Sequence, residues 1–278
     1  MRVLLLLGLL VGARALKLVV IGPGDPWLSL CTAKIAHGQG MTAACVTRKT
    51  ETAQKMLWGK DATDTPIELV DGAENIGVAL KDADALVING AAFGGLKPNF
   101  AAAALNNAPN LKTVSVCVDA GESKEAVDAT LAACAERSIG ANVIRVGKLR
   151  GGGPAADGTE GAADTLASFF YDTNPDLLGF MGDQYADGYL LGLKAEVGDK
   201  PANFFQKIAA GQGNGAAPGV SCRVPAAAAL VASLGGAGVD LTLTAEEGTA
   251  AAQVSDFPSF FAEASEKGVA VATGPIKS

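Results

Sequence analysis

The stretch that decides the fold is Lys17-Leu18-Val19-Val20-Ile21-Gly22-Pro23-Gly24-Asp25-Pro26-Trp27-Leu28. A short run of aliphatic and β-branched residues breaks on two glycines and two prolines, and apolar residues at helical spacing follow as far as His37. The Val/Ile-rich run reads as a strand buried on both faces, and the Gly/Pro cluster reads as a tight turn into a helix. Outward from this unit the same alternation repeats. Strands are expected at Ala43 to Thr47, Ile67 to Val70, Ala85 to Asn89, Thr113 to Val118 and Asn142 to Val146. Helical patterns lie between them at Glu51 to Trp58, Glu74 to Lys81, Pro98 to Asn107 and Lys124 to Arg137. Buried Val/Ile strands separated by helical segments make a parallel sheet with crossover helices. The fold class that follows is α/β, a doubly wound, Rossmann-like parallel sheet.

Beyond Gly151-Gly152-Gly153-Pro154 the pattern weakens, so residues 16–154 form one α/β unit and 155–278 a mostly helical C-terminal lobe. Helices are expected within an insertion spanning 155–218, at Gly161 to Tyr171 and Ala202 to Ala210, with no strand there. A return to the sheet is expected over 219–244, through a helix at Pro225 to Leu234 and a strand at Val239 to Thr244. Phe257 to Lys267 reads as a terminal amphipathic helix.

The N-terminus reads differently. Met1-Arg2, an apolar run from Val3 to Ala13 and the small-x-small triplet Ala13-Arg14-Ala15 match a secretory signal peptide over residues 1–15. The run is too short to cross a bilayer, and no later stretch suits a transmembrane helix, so no membrane span is expected in the mature chain. The leader directs the chain to the secretory pathway, to be secreted or held in the ER lumen. In an alga with a complex plastid it would instead be the first half of a plastid address.

Composition narrows the function. Of 278 residues, 49% are hydrophobic and 18% charged, which excludes a disordered chain. The formal net charge of −7 argues against nucleic acid as a partner. A single histidine, His37, removes His-rich metal chemistry and is read as meeting the dipole at the end of the first helix. Cys31, Cys45, Cys117, Cys134 and Cys222 are widely spaced with no C-x-x-C, and four of them sit in apolar stretches, where a thiol behaves as a small hydrophobe. Phe204-Phe205 and Phe169-Phe170-Tyr171 read as core or cap packing.

The turn after the first strand is where a dinucleotide fold places its phosphate loop. Glycines let the backbone come close to a pyrophosphate, and the helix N-terminus offers free N–H groups. The candidate cofactor residues there are Gly22, Pro23, Gly24, Asp25 and Trp27. Trp27 stands where G-x-G-x-x-G has its third glycine, Asp25 brings negative charge, and Pro26 lacks an N–H, so the turn is either a cofactor loop or one that binds nothing. The second strand ends in Thr47-Arg48-Lys49, the position that reads the adenosine ribose; a basic pair there suits the 2′-phosphate of NADP. Two solvated surface charges are the other reading. Asn89, Gly90 and Ala91, small residues ending the fourth strand, are the remaining candidates, as a passage for cofactor or a plain tight turn.

Several stretches together resemble an atypical short-chain dehydrogenase/reductase of the NmrA-like type, a group that includes photosystem assembly factors as well as reductases. They are the first strand and turn, Val46-Thr47-Arg48, Leu80 through Ala91, Asn110-Leu111-Lys112, and Val220 through Thr244. Glu136 through Leu149 is similar to the family's helix end, sixth strand and R-P-G-x-L turn, with Val146 in place of Pro. Residues 155–218 do not match. The resemblance implies an NAD(P)-binding protein, yet the wider superfamily's Ser-Tyr-Lys machinery is not found. Asp119 stands where the Ser would be, the following helix has no Tyr, and Lys124 stands alone. Tyr171, Tyr185 and Tyr189 all fall in the unmatched segment. The resemblance then implies a non-catalytic NAD(P)-binding protein, a redox sensor, assembly factor or scaffold with a protein partner. A reductase with an unconventional proton donor and a cofactor-free interaction module are the alternatives.

Overall fold

The computed structural model describes residues 15–51, 53–54, 66–92, 95–150, 192–212, 219–246 and 257–272. The leader, the Gly161 to Tyr171 helix, most of the Glu51 to Trp58 helix and the three tyrosines lie outside the described residues. In chain order the strands are β1 (Lys17–Ile21), β2 (Thr42–Val46), β3 (Glu68–Val70), β4 (Ala85–Asn89), β5 (Thr113–Asp119), β6 (Gly140–Val146), β7 (Lys148–Arg150), β8 (Gly192–Val197), β9 (Val220–Cys222), β10 (Asp240–Glu246) and β11 (Val269–Ala272). The helices are α1 (Pro26–Gly38), α2 (Ala73–Lys81), α3 (Pro98–Asn106), α4 (Lys124–Glu136), α5 (Phe204–Gln212), α6 (Arg223–Ser233) and α7 (Phe257–Lys267).

Nine strands form one sheet in the order β11-β8-β10-β6-β5-β4-β1-β2-β3, and β7 and β9 pair separately. From β3 to β6 the order 3-2-1-4-5-6 is all parallel, the doubly wound arrangement expected from the alternating sequence. The fold is Rossmann-like. Side-chain alternation divides the core in two. Leu18, Val20, Ala43, Cys45, Ala85 and Val87 face one layer, packed under α1, α6 and α7. Val19, Ile21, Ala44, Leu86, Ile88, Val114 and Val116 face the other, under α2, α3 and α4. Both faces are covered, which is why these strands read as unbroken apolar runs.

Residues 155–218 contain a strand, contrary to the sequence expectation. β8 runs antiparallel between β10 and β11, with Leu193 and Ala195 buried and Lys194 and Glu196 half-buried. An antiparallel strand with one buried face alternates and lacks the Val/Ile run that marks the central strands. Gly192 opens the strand and Gly198 follows it, the glycine punctuation that marks its ends.

All five cysteines are buried. Burial in apolar surroundings pushes the Cys45 thiol up to about 12 and the Cys134 thiol up to about 11, as befits thiols that serve as packing. Among the described residues, no helix is long and apolar enough to cross a membrane.

Candidate functional site

The order of the sheet reverses at β1, which has β2 on one side and β4 on the other, so the carboxyl ends of β1 and β4 flank the switch point where such folds take ligands. The glycine turn and Asn89-Gly90-Ala91 meet there. Gly24 N–H donates to the Asn89 carbonyl at 3.0 Å, and Asp25 N–H to the Ala91 carbonyl at 2.8 Å. A Cβ on Gly22 would stand 1.8 Å from the Asn89 oxygen, and one on Gly24 would stand 2.6 Å from both the Ala91 oxygen and Asn89 Oδ1. Both glycines are therefore required by the approach of the chain to its own fourth strand, whether or not a ligand comes close.

Asn89 is fully buried and ties the two loops together. Its Nδ2 donates to the Asp25 carbonyl and to Ser29 Oγ, each at 2.8 Å, and its Oδ1 accepts from Ala91 N–H at 3.1 Å. Gly90 N–H donates to the Cys117 carbonyl at 2.7 Å, which joins the same knot to β5. Trp27, on the first turn of α1, is partly buried and packs against the core beneath that helix, while Pro23 is exposed.

Asp25 is the charged centre of the turn. It caps α1, with Oδ1 accepting from Leu28 N–H at 2.8 Å, and only 3% of the residue is exposed. The guanidinium of Arg223 closes on it in two-pronged fashion, Nε to Oδ1 at 3.0 Å and Nη2 to Oδ2 at 2.9 Å. Arg223 opens α6, a helix whose Ala226 to Leu230 stretch is buried and which packs on α1. α6 is fixed to the sheet by Asn142 Nδ2, donating to the Ser233 carbonyl at 2.9 Å, and by the Ser115 and Ser233 hydroxyls at 2.7 Å.

These groups do not fit a dinucleotide pyrophosphate. Two turn amides already donate to the carbonyls of Asn89 and Ala91 at the end of β4, Pro26 has no N–H, and Leu28 N–H is held by Asp25. A buried carboxylate stands at the helix N-terminus where phosphate charge would come.

Thr47, Arg48 and Lys49 lie apart from this knot. Thr47 N–H donates to the Val70 carbonyl at 2.9 Å, and Arg48 and Lys49 are exposed at the tip of β2. At the end of β5, Asp119 Oδ2 accepts from Ala92 N–H at 2.8 Å, and Ser123 Oγ accepts from Leu96 N–H at 2.8 Å, so two side chains hold the β4–α3 loop. Burial pushes the Asp119 carboxyl up, with Glu122 and Asp25 adding to the rise and the Ala92 N–H opposing it. Lys124 is exposed and paired with Asp128 one turn on. His37 sits in the last turn of α1 as expected.

Arg223 was not legible as a site residue. Its signal was a cation at the start of a helix, the wrong end of the dipole, where it needs a specific anion to justify it. Phe204 and Phe205 correct the core reading: they are 71% and 79% exposed and meet edge to face at 5.7 Å. They open a helix in which, among the described residues, only Ala210 is buried.

No family model matches the sequence, and no curated protein matches it. Solved structures do share the fold. A Rossmann-fold NAD(P)-binding family protein from Shigella flexneri is similar at 11% identity and a TM-score of 0.48, over 86% of this chain and 98% of that one. A wide-type short-chain dehydrogenase/reductase from Veillonella parvula, in complex with NADP, is similar at 10% identity and a TM-score of 0.47, over 85% and 97%. UDP-N-acetylglucosamine 4-epimerase from Bacillus cereus is similar at 12% identity and a TM-score of 0.44, over 82% and 76%. At these values the likeness extends to the general fold and carries no argument about activity.

Proposed function

We propose that this chain is a non-catalytic protein built on the NAD(P)-binding type of Rossmann fold, acting as an assembly factor or scaffold for a protein partner. The observation that carries this reading is the use made of Asp119. Where the resemblance calls for a catalytic Ser, this side chain instead accepts from Ala92 N–H and holds a loop. Lys124, the one basic residue at the head of the next helix, is engaged with Asp128 on the outer surface. The exposed Phe204 and Phe205 supply apolar contact area of the kind partner surfaces use. The test is NADPH oxidation by the purified full chain against a panel of carbonyl and enone substrates. No turnover is expected; turnover that Asp119→Ala abolishes would sink the proposal.

A second reading keeps a cofactor without chemistry: NADP(H) bound as a redox signal, with Arg48 and Lys49 on its 2′-phosphate. It is favoured by the exposure of both cations beside the switch point. Thermal melts with NADPH and NADH separate it, since only NADPH would raise the melting temperature. In either reading the leader takes the chain into the secretory pathway or a complex plastid, and a mature N-terminus at Leu16 checks this.

A further inference from the structure

We infer that Asp25 is a built-in substitute for a nucleotide's phosphate, and that the Asp25–Arg223 pair closes this chain to dinucleotides. An aspartate at a helix N-cap is ordinary by itself, but such a carboxylate is normally wet. This one is 3% exposed and receives three donors: Leu28 N–H and two nitrogens of Arg223, a residue 198 positions away. That is the donor set a bound phosphate would draw from a helix N-terminus and an arginine. Arg223 sits at the start of α6, where the helix dipole disfavours a cation, and the carboxylate opposite offsets that.

Entry of a pyrophosphate would require the carboxylate to leave, the two-pronged pair to break and the Gly24 and Asp25 amides to release Asn89 and Ala91. Removing one member of a buried pair strands the other, and two anions cannot share the position. The inference goes beyond the lack of catalysis, because a non-catalytic protein could still hold a cofactor. It decides between the two readings above in favour of the cofactor-free one and leaves Arg48 and Lys49 as surface charges.

The experiment is isothermal titration of the full chain with inorganic pyrophosphate and with NADPH, for wild type, Asp25→Ser and the double variant Asp25→Ser/Arg223→Gln. Wild type should bind neither at millimolar concentration. Asp25→Ser keeps an N-cap acceptor but takes the competing carboxylate away from Arg223, and should bind pyrophosphate at least about tenfold more tightly than wild type. The double variant should lose that gain. Micromolar binding by wild type, or a folded Asp25→Ser that gains nothing, overturns the inference. If Asp25→Ser does not fold, the Leu28 amide resonance of wild type decides: unchanged on adding pyrophosphate, it supports the inference; shifted at the turn, it overturns it. Turnover measured on the same samples reports separately on the absence of catalysis.

Discussion

β1 and β2 are adjacent parallel strands of similar length, yet their carboxyl ends are built on opposite terms. After β1 the chain turns inward: amides, carbonyls, a buried Asn and a buried Asp paired with a half-buried Arg all find partners within the fold. After β2 it turns outward, and Arg48 and Lys49 project from an exposed loop. A dinucleotide would have to use both ends at once. Basic residues at one tip therefore say little about binding when the neighbouring turn is already closed by its own carboxylate.

That contrast can be broken or sharpened by substitution. The largest effect is expected from Gly22→Ala, whose Cβ would meet the Asn89 oxygen at 1.8 Å. Backbone meets backbone there, so relaxation is poor and a loss of about 3 kcal/mol or more should appear in urea unfolding. Arg223→Met should follow, at about 2–4 kcal/mol, because it strands a carboxylate that is 3% exposed. A loss under about 0.5 kcal/mol, the level of a surface pair, would mean that the pair does not hold the turn. Asn89→Leu removes two donated bonds and one accepted bond at a fully buried position and should cost about 2 kcal/mol by the same measurement.

At the β2 tip the scale drops. Arg48→Ala and Lys49→Ala should each leave stability within about 0.5 kcal/mol of wild type. The smallest expected effect is Asp119→Asn, and it depends on pH. Because burial raises this carboxyl, its contribution is fully present at acid pH and is lost as the pH rises through its raised value. The variant should therefore gain melting temperature relative to wild type at neutral pH, with the gain shrinking towards the acid side of the ordinary carboxylate range.

Much of the fold was legible because it obeys short-range rules. Lys17–Ile21, Ala85–Asn89 and Thr113–Asp119 are short runs dominated by Val, Leu and Ile in strands covered on both faces, and their β-branched composition and short length mark them. β8 escaped notice because its alternation of Leu193 and Ala195 with Lys194 and Glu196 only makes sense beside β10 and β11. Within the candidate site, the sequence by itself determined that glycines follow β1, that Asp25 brings negative charge into the turn, and that Asp119 stands where a hydroxyl was expected. Each is local, set by backbone sterics or by neighbours a few positions away. Only the tertiary structure decided what those glycines approach and what the carboxylate holds. Asn89 lies 64 positions from Asp25, and Arg223 lies 198. No periodicity links them; the crossover connections of the sheet bring them to one edge, where charge and hydrogen-bond demand close the turn.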